Sequence, residues 1–328
     1  MLIKELNRQV KKDLKDYFQE RDYMVVAVPK KEPVRVYTVK ATNTVETARR
    51  IHNLSPSATV AMGRAIVGAL LLTSLLKHGS NQKLLLKIEG DGPIGTIVVE
   101  AEAKGRVRGF VGNPNVDTYT KEVGEKKKFD VAQIVGKNGT LTVIKDLGMG
   151  KPYTSVVPLI SGEIGQDIAY YLYQSEQTPS AVALGVKVNK DGTIRHAGGF
   201  LVQTLGGTSE KVKELLEKRI LELPSITEMM EKGKRPEDMA TEILRDMEPQ
   251  LIGLKEIEYY CPCNEEVAKA SLFLLTAEEL EEIFKEKDLA EVTCNFCGRI
   301  YRFDESIVEE KRKKEAENKE SNEDNGEK

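Results

Sequence analysis

The four cysteines are the residues whose type and spacing most directly indicate chemistry. They form a C-x-C pair, Cys261 and Cys263, and a C-x-x-C pair, Cys294 and Cys297, about thirty residues apart, and no other position holds a cysteine. Four thiolates in so short a stretch can complete a tetrahedral shell, which favours Zn²⁺ over hard cations such as Mg²⁺ or Ca²⁺. Two structural disulfides or four unrelated buried thiols are the alternatives. The spacing favours a single metal site.

The C-x-C pair also suits redox chemistry. C-x-C is a less common zinc-binding motif than C-x-x-C, and it places its two sulfurs within reach of each other. If one thiolate is oxidised to a sulfenic acid, its neighbour can resolve it to a disulfide, and a disulfide cannot act as two thiolate ligands. We therefore expect oxidation of the site to release its metal.

Composition limits the classes of protein that remain. A length of 328 residues predicts two or three domains, and the 40% apolar content with 6% aromatics and no Trp predicts an aliphatic core. The net charge of −3 argues against a general binder of nucleic acids or membrane surfaces. The start has no signal-peptide pattern, and the longest apolar stretch, 65–76, is too short to span a bilayer. We expect a cytoplasmic protein with no membrane partner, whose cysteines are kept as thiols at rest.

Periodicity predicts an α+β fold: an N-terminal core domain of mixed sheet and helix, a helical linker and a small C-terminal zinc-binding module. The boundaries that we expect are an amphipathic extension over 1–20, a core domain with a predominantly antiparallel sheet over 21–207, a Met-rich helical linker over 208–256, the four-cysteine module over 257–308 and a disordered charged tail over 309–328.

No catalytic or cofactor-binding constellation is visible in the predicted core domain. His52, His78 and His196 lie far apart and have no Cys, His or Asp at ligand or triad spacing, so each is expected to be a surface or packing residue. The polar stretch 119–130, with its run of three lysines, is expected to be a solvated loop rather than a phosphate-binding site.

The predicted linker carries four of the eight methionines, Met229, Met230, Met239 and Met247. Either it is an ordinary helical arm docked on the core domain, or its Met-rich faces form an adaptable surface for many partners. A module of about fifty residues depends on its metal for stability. If that module covers the linker, metal loss would free these faces.

The predicted module is acidic. Residues 258–308 contain five Lys or Arg against twelve Asp or Glu, a formal charge of −7 before any thiolate is counted. A zinc ribbon that binds DNA or RNA should be basic, so no nucleic-acid partner is expected. A thiol-disulfide oxidoreductase is a further alternative. It would normally place C-x-x-C at the start of a helix, and no helical pattern follows Cys297.

At this point the chain resembles the redox-regulated 33-kDa heat-shock chaperone family, called HslO in bacteria, over nearly its whole length. The segments that carry the resemblance are Gly90-Asp91-Gly92-Pro93, Tyr170-Tyr171 through Ser175-Glu176-Gln177, Ala197-Gly198-Gly199-Phe200, Cys261-x-Cys263, Glu291-Val292-Thr293-Cys294-Asn295-Phe296-Cys297 and Tyr301-x-Phe303. The chain departs from the family after C-x-C, where Ser and Arg are common and this chain has Asn264-Glu265-Glu266-Val267.

The resemblance implies an ATP-independent holdase chaperone, not an enzyme, whose partners are unfolded or partly folded client proteins under oxidative or heat stress. It implies an inactive reduced state with one Zn²⁺ per chain on Cys261, Cys263, Cys294 and Cys297. Oxidants would form the disulfides Cys261–Cys263 and Cys294–Cys297, release zinc and activate the protein, with a homodimer as a candidate oxidised form.

Overall fold

The computed structural model describes residues 20–124 and 126–325. They form two compact units, 20–260 and 261–325. The α+β class is confirmed, because both strands and helices contribute throughout. The predicted N-terminal amphipathic extension lies outside the described residues except for Glu20.

A ten-stranded sheet is the frame of the first unit. Its strands are β1 (Asp22–Val28), β2 (Val34–Lys40), β3 (Lys83–Gly90), β4 (Thr96–Glu102), β5 (Arg106–Val111), β8 (Gly139–Asp146), β9 (Tyr153–Pro158), β10 (Ser180–Val188), β11 (Ile194–Thr204) and β12 (Gln250–Tyr259). In space these strands follow the order β10-β11-β2-β1-β12-β5-β4-β3-β8-β9, and all neighbours are antiparallel except β12 and β5. A separate hairpin, β6 (Thr120–Val123) with β7 (Lys126–Phe129), completes the numbering.

One face of this sheet packs on a central helix. The helices that precede the linker are α1 (Thr42–His52), α2 (Pro56–Leu72), α3 (Val131–Val135) and α4 (Gly165–Gln174). Ser55 caps α2, since its Oγ accepts a hydrogen bond from the Ala58 N–H at 3.3 Å, and every residue of α2 except Pro56 and Arg64 is buried. Among the described residues, only the stretch 56–75 is long and apolar enough to cross a membrane, and 83% of its apolar window is buried inside the protein. This stretch is therefore a buried helix of the core.

The other face of the sheet is covered by the helices of the predicted linker, α5 (Glu210–Glu222), α6 (Ile226–Glu231) and α7 (Pro236–Ile243). Met229, Met230 and Met239 are buried there in one apolar cluster with sheet residues such as Val36 and Phe200. The structure thus has these helices docked on the core domain, the first of the two interpretations that the sequence allows.

Two predictions for the first unit differ from the structure. The linker does not stay helical to residue 256, because β12 enters the sheet between β1 and β5. Its pairs with β1 join residues more than two hundred positions apart, such as Asp22 and Ile257, so no neighbouring residues indicate the strand. The stretch 119–130 contains the hairpin β6–β7, whose cross-strand pairs join Glu122 to Lys127, and Gly124 at φ 60° makes its turn.

The second unit contains α8 (Glu265–Leu272), α9 (Ala277–Glu286), β13 (Ala290–Thr293), β14 (Ile300–Phe303) and α10 (Ser306–Asn325). Helix α9 begins with a capping box: Thr276 Oγ1 accepts from the Glu279 N–H at 3.2 Å, and the Thr276 N–H donates to Glu279 Oε2 at 2.7 Å. The charged tail over 309–328 is predicted to be disordered, but its described part, 309–325, belongs to α10. Ile307 and Val308 anchor that helix by packing into the small core of the unit.

Candidate metal centre

A short hairpin positions the C-x-x-C cysteines. Strands β13 and β14 pair from Ala290 opposite Phe303 to Thr293 opposite Ile300. In the turn between them, the Cys294 N–H donates to the Arg299 carbonyl at 2.9 Å, and the Cys294 carbonyl accepts from the Gly298 N–H at 2.8 Å. Gly298 has φ 68°, a conformation that a side chain would disfavour. The turn therefore holds both thiols together.

The C-x-C cysteines lie in the extended segment just before α8. Asn264 caps that helix by accepting a hydrogen bond at its Oδ1 from the Val267 N–H at 2.9 Å. Glu265 and Glu266 occupy the first helical turn, where the helix dipole favours negative charge. The residues that replace the usual Ser and Arg are thus explained by helix capping.

The four sulfurs converge on one point, since all four Sγ atoms lie within 4.8 Å of one another. Cys261 Sγ is 3.7 Å from Cys294 Sγ, and Cys263 Sγ is 3.3 Å from Cys297 Sγ. Zinc–sulfur bonds of about 2.3 Å place tetrahedral ligands roughly 3.8 Å apart, so the spacing fits a thiolate shell around one ion. Each of the four cysteines is a thiol rather than half of a disulfide. The predicted residues are therefore close enough to bind one metal ion.

Two further side chains, which the cysteine spacing alone does not reveal, contact the cysteine cluster. The Tyr301 hydroxyl donates to Cys263 Sγ at 3.1 Å, and Arg299 Nη1 donates to the Cys263 carbonyl at 3.3 Å and to the Tyr301 hydroxyl at 3.4 Å. A positive charge therefore does lie beside the C-x-C pair, but it comes from the turn that follows Cys297. The signal in the sequence is the spacing of Arg299 and Tyr301, two and four residues beyond that cysteine.

The thiols are not equivalent in their acidity. Burial raises the pKa of Cys297 to about 12 and also raises the pKa of Cys294. Burial acts in the same direction on Cys263, but hydrogen bonds led by that from Tyr301 outweigh it and lower the pKa of Cys263 to about 7. Without a metal ion, the lowered pKa of Cys263 means that this thiol ionises before Cys294 and Cys297.

The rest of the described chain offers no second cluster of this kind. Among the residues that the structure describes, these cysteines are the one group of three or more His, Cys, Asp or Glu whose ligand atoms could hold a metal ion. The histidines remain separate: His52 Nε2 lies 3.2 Å from the Tyr259 hydroxyl, and His196 Nε2 lies 3.3 Å from Glu231. After Cys297 the chain continues into β14 rather than a helix, unlike the arrangement expected of a thiol-disulfide oxidoreductase.

Comparison with known proteins gives one consistent result. A sequence model of the family described as Hsp33 protein matches residues 22–304. The 33 kDa chaperonin of Aquifex aeolicus (strain VF5) is 86% identical over 321 residues, which cover 97% of this chain and 98% of that protein. The 33 kDa chaperonin of Latilactobacillus sakei subsp. sakei (strain 23K) is 42% identical over 286 residues, 87% of this chain and 97% of that protein.

A solved structure agrees. The crystal structure of the 33 kDa chaperonin from Thermotoga maritima, a heat shock protein 33 homologue, matches with a TM-score of 0.79 at 40% identity. The match covers 90% of this chain and 99% of that one.

Proposed function

Since this chain belongs to the Hsp33 family of chaperones, we propose that it is a redox-regulated, ATP-independent holdase. In the reduced state it is inactive and holds one Zn²⁺ on Cys261, Cys263, Cys294 and Cys297. Oxidation converts the four cysteines to two disulfides, releases the metal and allows the protein to bind unfolding clients. The convergence of the four Sγ atoms within 4.8 Å is the observation that carries this proposal.

The second unit is suited to be stable only with its metal. Its buried apolar core consists of eight residues, three of them alanines: Ala268, Leu272, Ala277, Leu280, Ala290, Phe303, Ile307 and Val308. So small a core supplies little net stability. Structural zinc contributes on the order of 10–16 kcal/mol in peptide models, as much as the stability of a whole domain. Loss of zinc should therefore unfold this unit.

The oxidation that we propose uses sequence neighbours. A peroxide takes two electrons from one thiolate and leaves a sulfenic acid, and the adjacent thiolate then attacks that sulfur, forms the disulfide and expels hydroxide. Two peroxides thus account for Cys261–Cys263 and Cys294–Cys297. Neither disulfide retains a thiolate pair for the metal, so ligation and oxidation exclude each other.

Client binding is proposed on the apolar faces of α5, α6 and α7. Those faces now pack on the sheet through Met229, Met230 and Met239, and flexible methionines adapt to varied partners. The helices join the cysteine segment through β12, which ends at Tyr259, two residues before Cys261. Release of β12 from the sheet would loosen the same helices, and the freed faces would serve clients or a second oxidised copy in a homodimer.

The test measures whether the protein suppresses the aggregation of a chemically denatured client in the absence of nucleotide. Zinc-loaded reduced protein should leave aggregation unchanged, and peroxide-oxidised protein should suppress it at near-equimolar ratio. Insulin reduction should be no faster than with dithiothreitol alone, because a holdase performs no turnover. Equal suppression of aggregation in both redox states would mean that the cysteines are only structural ligands, and it would refute the proposed switch.

A further inference from the structure

One edge of the ten-stranded sheet is open. Strand β10 is the terminal strand and pairs with β11 alone. In the part of the chain that the structure describes, no strand pairs with the outer side of β10. Alternate N–H and C=O groups of an edge strand point away from the sheet, where they are available to another extended chain.

A groove with a volume of about 960 Å³ runs beside this edge. Leu184, Val186 and Val188 of β10 contribute apolar side chains to it, together with Val60 of α2 and Phe129 at the end of β7. The groove therefore combines an unpaired backbone with apolar pockets for side chains, the two elements by which extended peptides are bound as added strands.

The charges around the groove are predominantly positive. Its basic residues outnumber its acidic residues by five to two, although the chain as a whole has a net charge of −3. Glu231, one of the two acids, is already paired with Lys187 at 2.8 Å and with Arg195. Lys127, Lys128 and Lys232 take part in no ion pair among the described residues, so their charges are available to a ligand.

From this combination we propose that the groove binds an extended, acidic segment of another protein, which adds to β10 as a further strand of the sheet. Residues 184–188 of β10 present roughly 17 Å of edge at about 3.3 Å per residue, enough to hold five or six residues of a partner. Alternate apolar side chains of the partner enter the groove, and its acidic side chains face Lys127 and Lys128. A helix or a folded surface would leave the unpaired backbone of β10 unsatisfied.

This inference goes beyond the proposed redox switch. The groove is built entirely from residues of the first unit, and none of its lining residues is a cysteine. Peptide binding there requires neither the metal nor oxidation. An experiment that refuted the redox switch would not affect the proposed peptide binding. Likewise, an experiment that refuted peptide binding would not affect the redox switch.

The experiment uses the full chain in its reduced, zinc-loaded form and two labelled heptapeptides, one alternating Val with Glu and the other alternating Val with Lys. Fluorescence anisotropy should show the acidic peptide binding at least tenfold more tightly. The double variant Lys127→Glu/Lys128→Glu should weaken it by roughly tenfold, because exposed attractive contacts become repulsive. The matched control, Lys104→Glu/Lys151→Glu, changes two exposed lysines outside the groove and should bind like the parent.

Hydrogen exchange on the complex supplies the second measurement. An added strand should slow exchange at alternate amides of 184–188, whereas a ligand held by charge alone should not. Equal affinity for both peptides, an unchanged affinity in the groove variant, or binding without protection of β10 would each overturn the proposal. So would tighter binding of a single-stranded oligonucleotide that displaces the acidic peptide.

Discussion

The hydroxyl of Tyr301 donates a hydrogen bond to the Sγ atom of Cys263 at 3.1 Å. The donor and acceptor lie 38 residues apart in the sequence, in β14 and in the segment before α8, so the contact ties the hairpin to the C-x-C pair. A donor aimed at a thiolate ligand spreads its charge and fixes its orientation without occupying a metal position.

Tyr301→Phe should therefore weaken zinc binding by about tenfold, the lower end of the range for loss of an outer-shell partner. The phenylalanine ring preserves the packing of β14, so the change isolates the hydroxyl. Competition with a chromogenic chelator measures the affinity directly. Tyr153→Phe, which alters a tyrosine that is 61% exposed on β9, is the control. Parent-like affinity in Tyr301→Phe would show that the hydroxyl does not support the site.

Cys294→Ser should lower metal affinity by orders of magnitude and unfold the second unit at moderate temperature. A serine hydroxyl is a poor zinc ligand at neutral pH, and the eight-residue core cannot compensate. Limited proteolysis should cut the variant within 261–308 while 22–206 stays resistant. The control variant Thr293→Ser alters the exposed residue just before Cys294 and should be as resistant to proteolysis as the parent. Unchanged resistance of Cys294→Ser or of chelated parent would contradict metal-dependent folding.

The disulfide pairing should follow sequence rather than the shortest sulfur distances. In the reduced structure the two sulfur contacts join Cys261 to Cys294 at 3.7 Å and Cys263 to Cys297 at 3.3 Å. Once the unit loses its metal, however, short loops close more readily than long ones. Trypsin cuts after Lys269, Lys285 and Lys287, which lie between the two cysteine pairs. Non-reducing mass spectrometry should thus find two unlinked, internally oxidised peptides. Peptides that stay joined until reduction would disprove the proposed pairing.

Lys255 of β12 should make stability depend on pH. Its Nζ donates to Thr73 Oγ1 at 2.7 Å and to the Ala103 carbonyl at 3.3 Å, and burial lowers the pKa of Lys255 to about 8. A lysine whose folded pKa lies below its unfolded value of about 10.4 opposes folding while it is charged. The cost is fully present below pH 8 and is relieved as the pH rises from about 8 to about 10.4.

Urea unfolding should accordingly show a gain of up to about 3 kcal/mol for the first unit over that interval. Lys255→Met should remove this gain, whereas Lys218→Met, a change at an exposed position of α5, should retain it. The comparison between variants cancels the contributions of other titrating groups. An identical pH profile for parent and Lys255→Met would exclude the assignment.

Features set by neighbouring residues were predictable from the sequence. A capping hydroxyl followed by proline, at Ser55 and Pro56, marks the start of the core helix, and Thr276 with Glu279 has the spacing of a capping box at the start of α9. The cysteine spacing alone indicated a single cluster, which the structure assembles within 4.8 Å. In each case the energetic preference lies within a few residues of chain, so pattern and structure agree.

Features set by distant partners were not predictable in this way. Strand β12 pairs with β1 across more than two hundred residues, and its own sequence is too charged to stand out as a strand. Likewise, the cation beside the C-x-C pair is Arg299, which only the folded hairpin brings to the Cys263 carbonyl. The tail helix α10 depends on Ile307 and Val308 finding an apolar core, a contact that composition does not reveal.

In the proposed switch, loss of the metal and gain of chaperone activity are one event. The most direct measurement follows zinc release with a chromogenic chelator during peroxide oxidation, with quenched samples tested for suppression of client aggregation at each time point. We predict that suppression rises in proportion to the zinc released and is absent before release begins. Full suppression by protein that still retains its zinc would contradict the account.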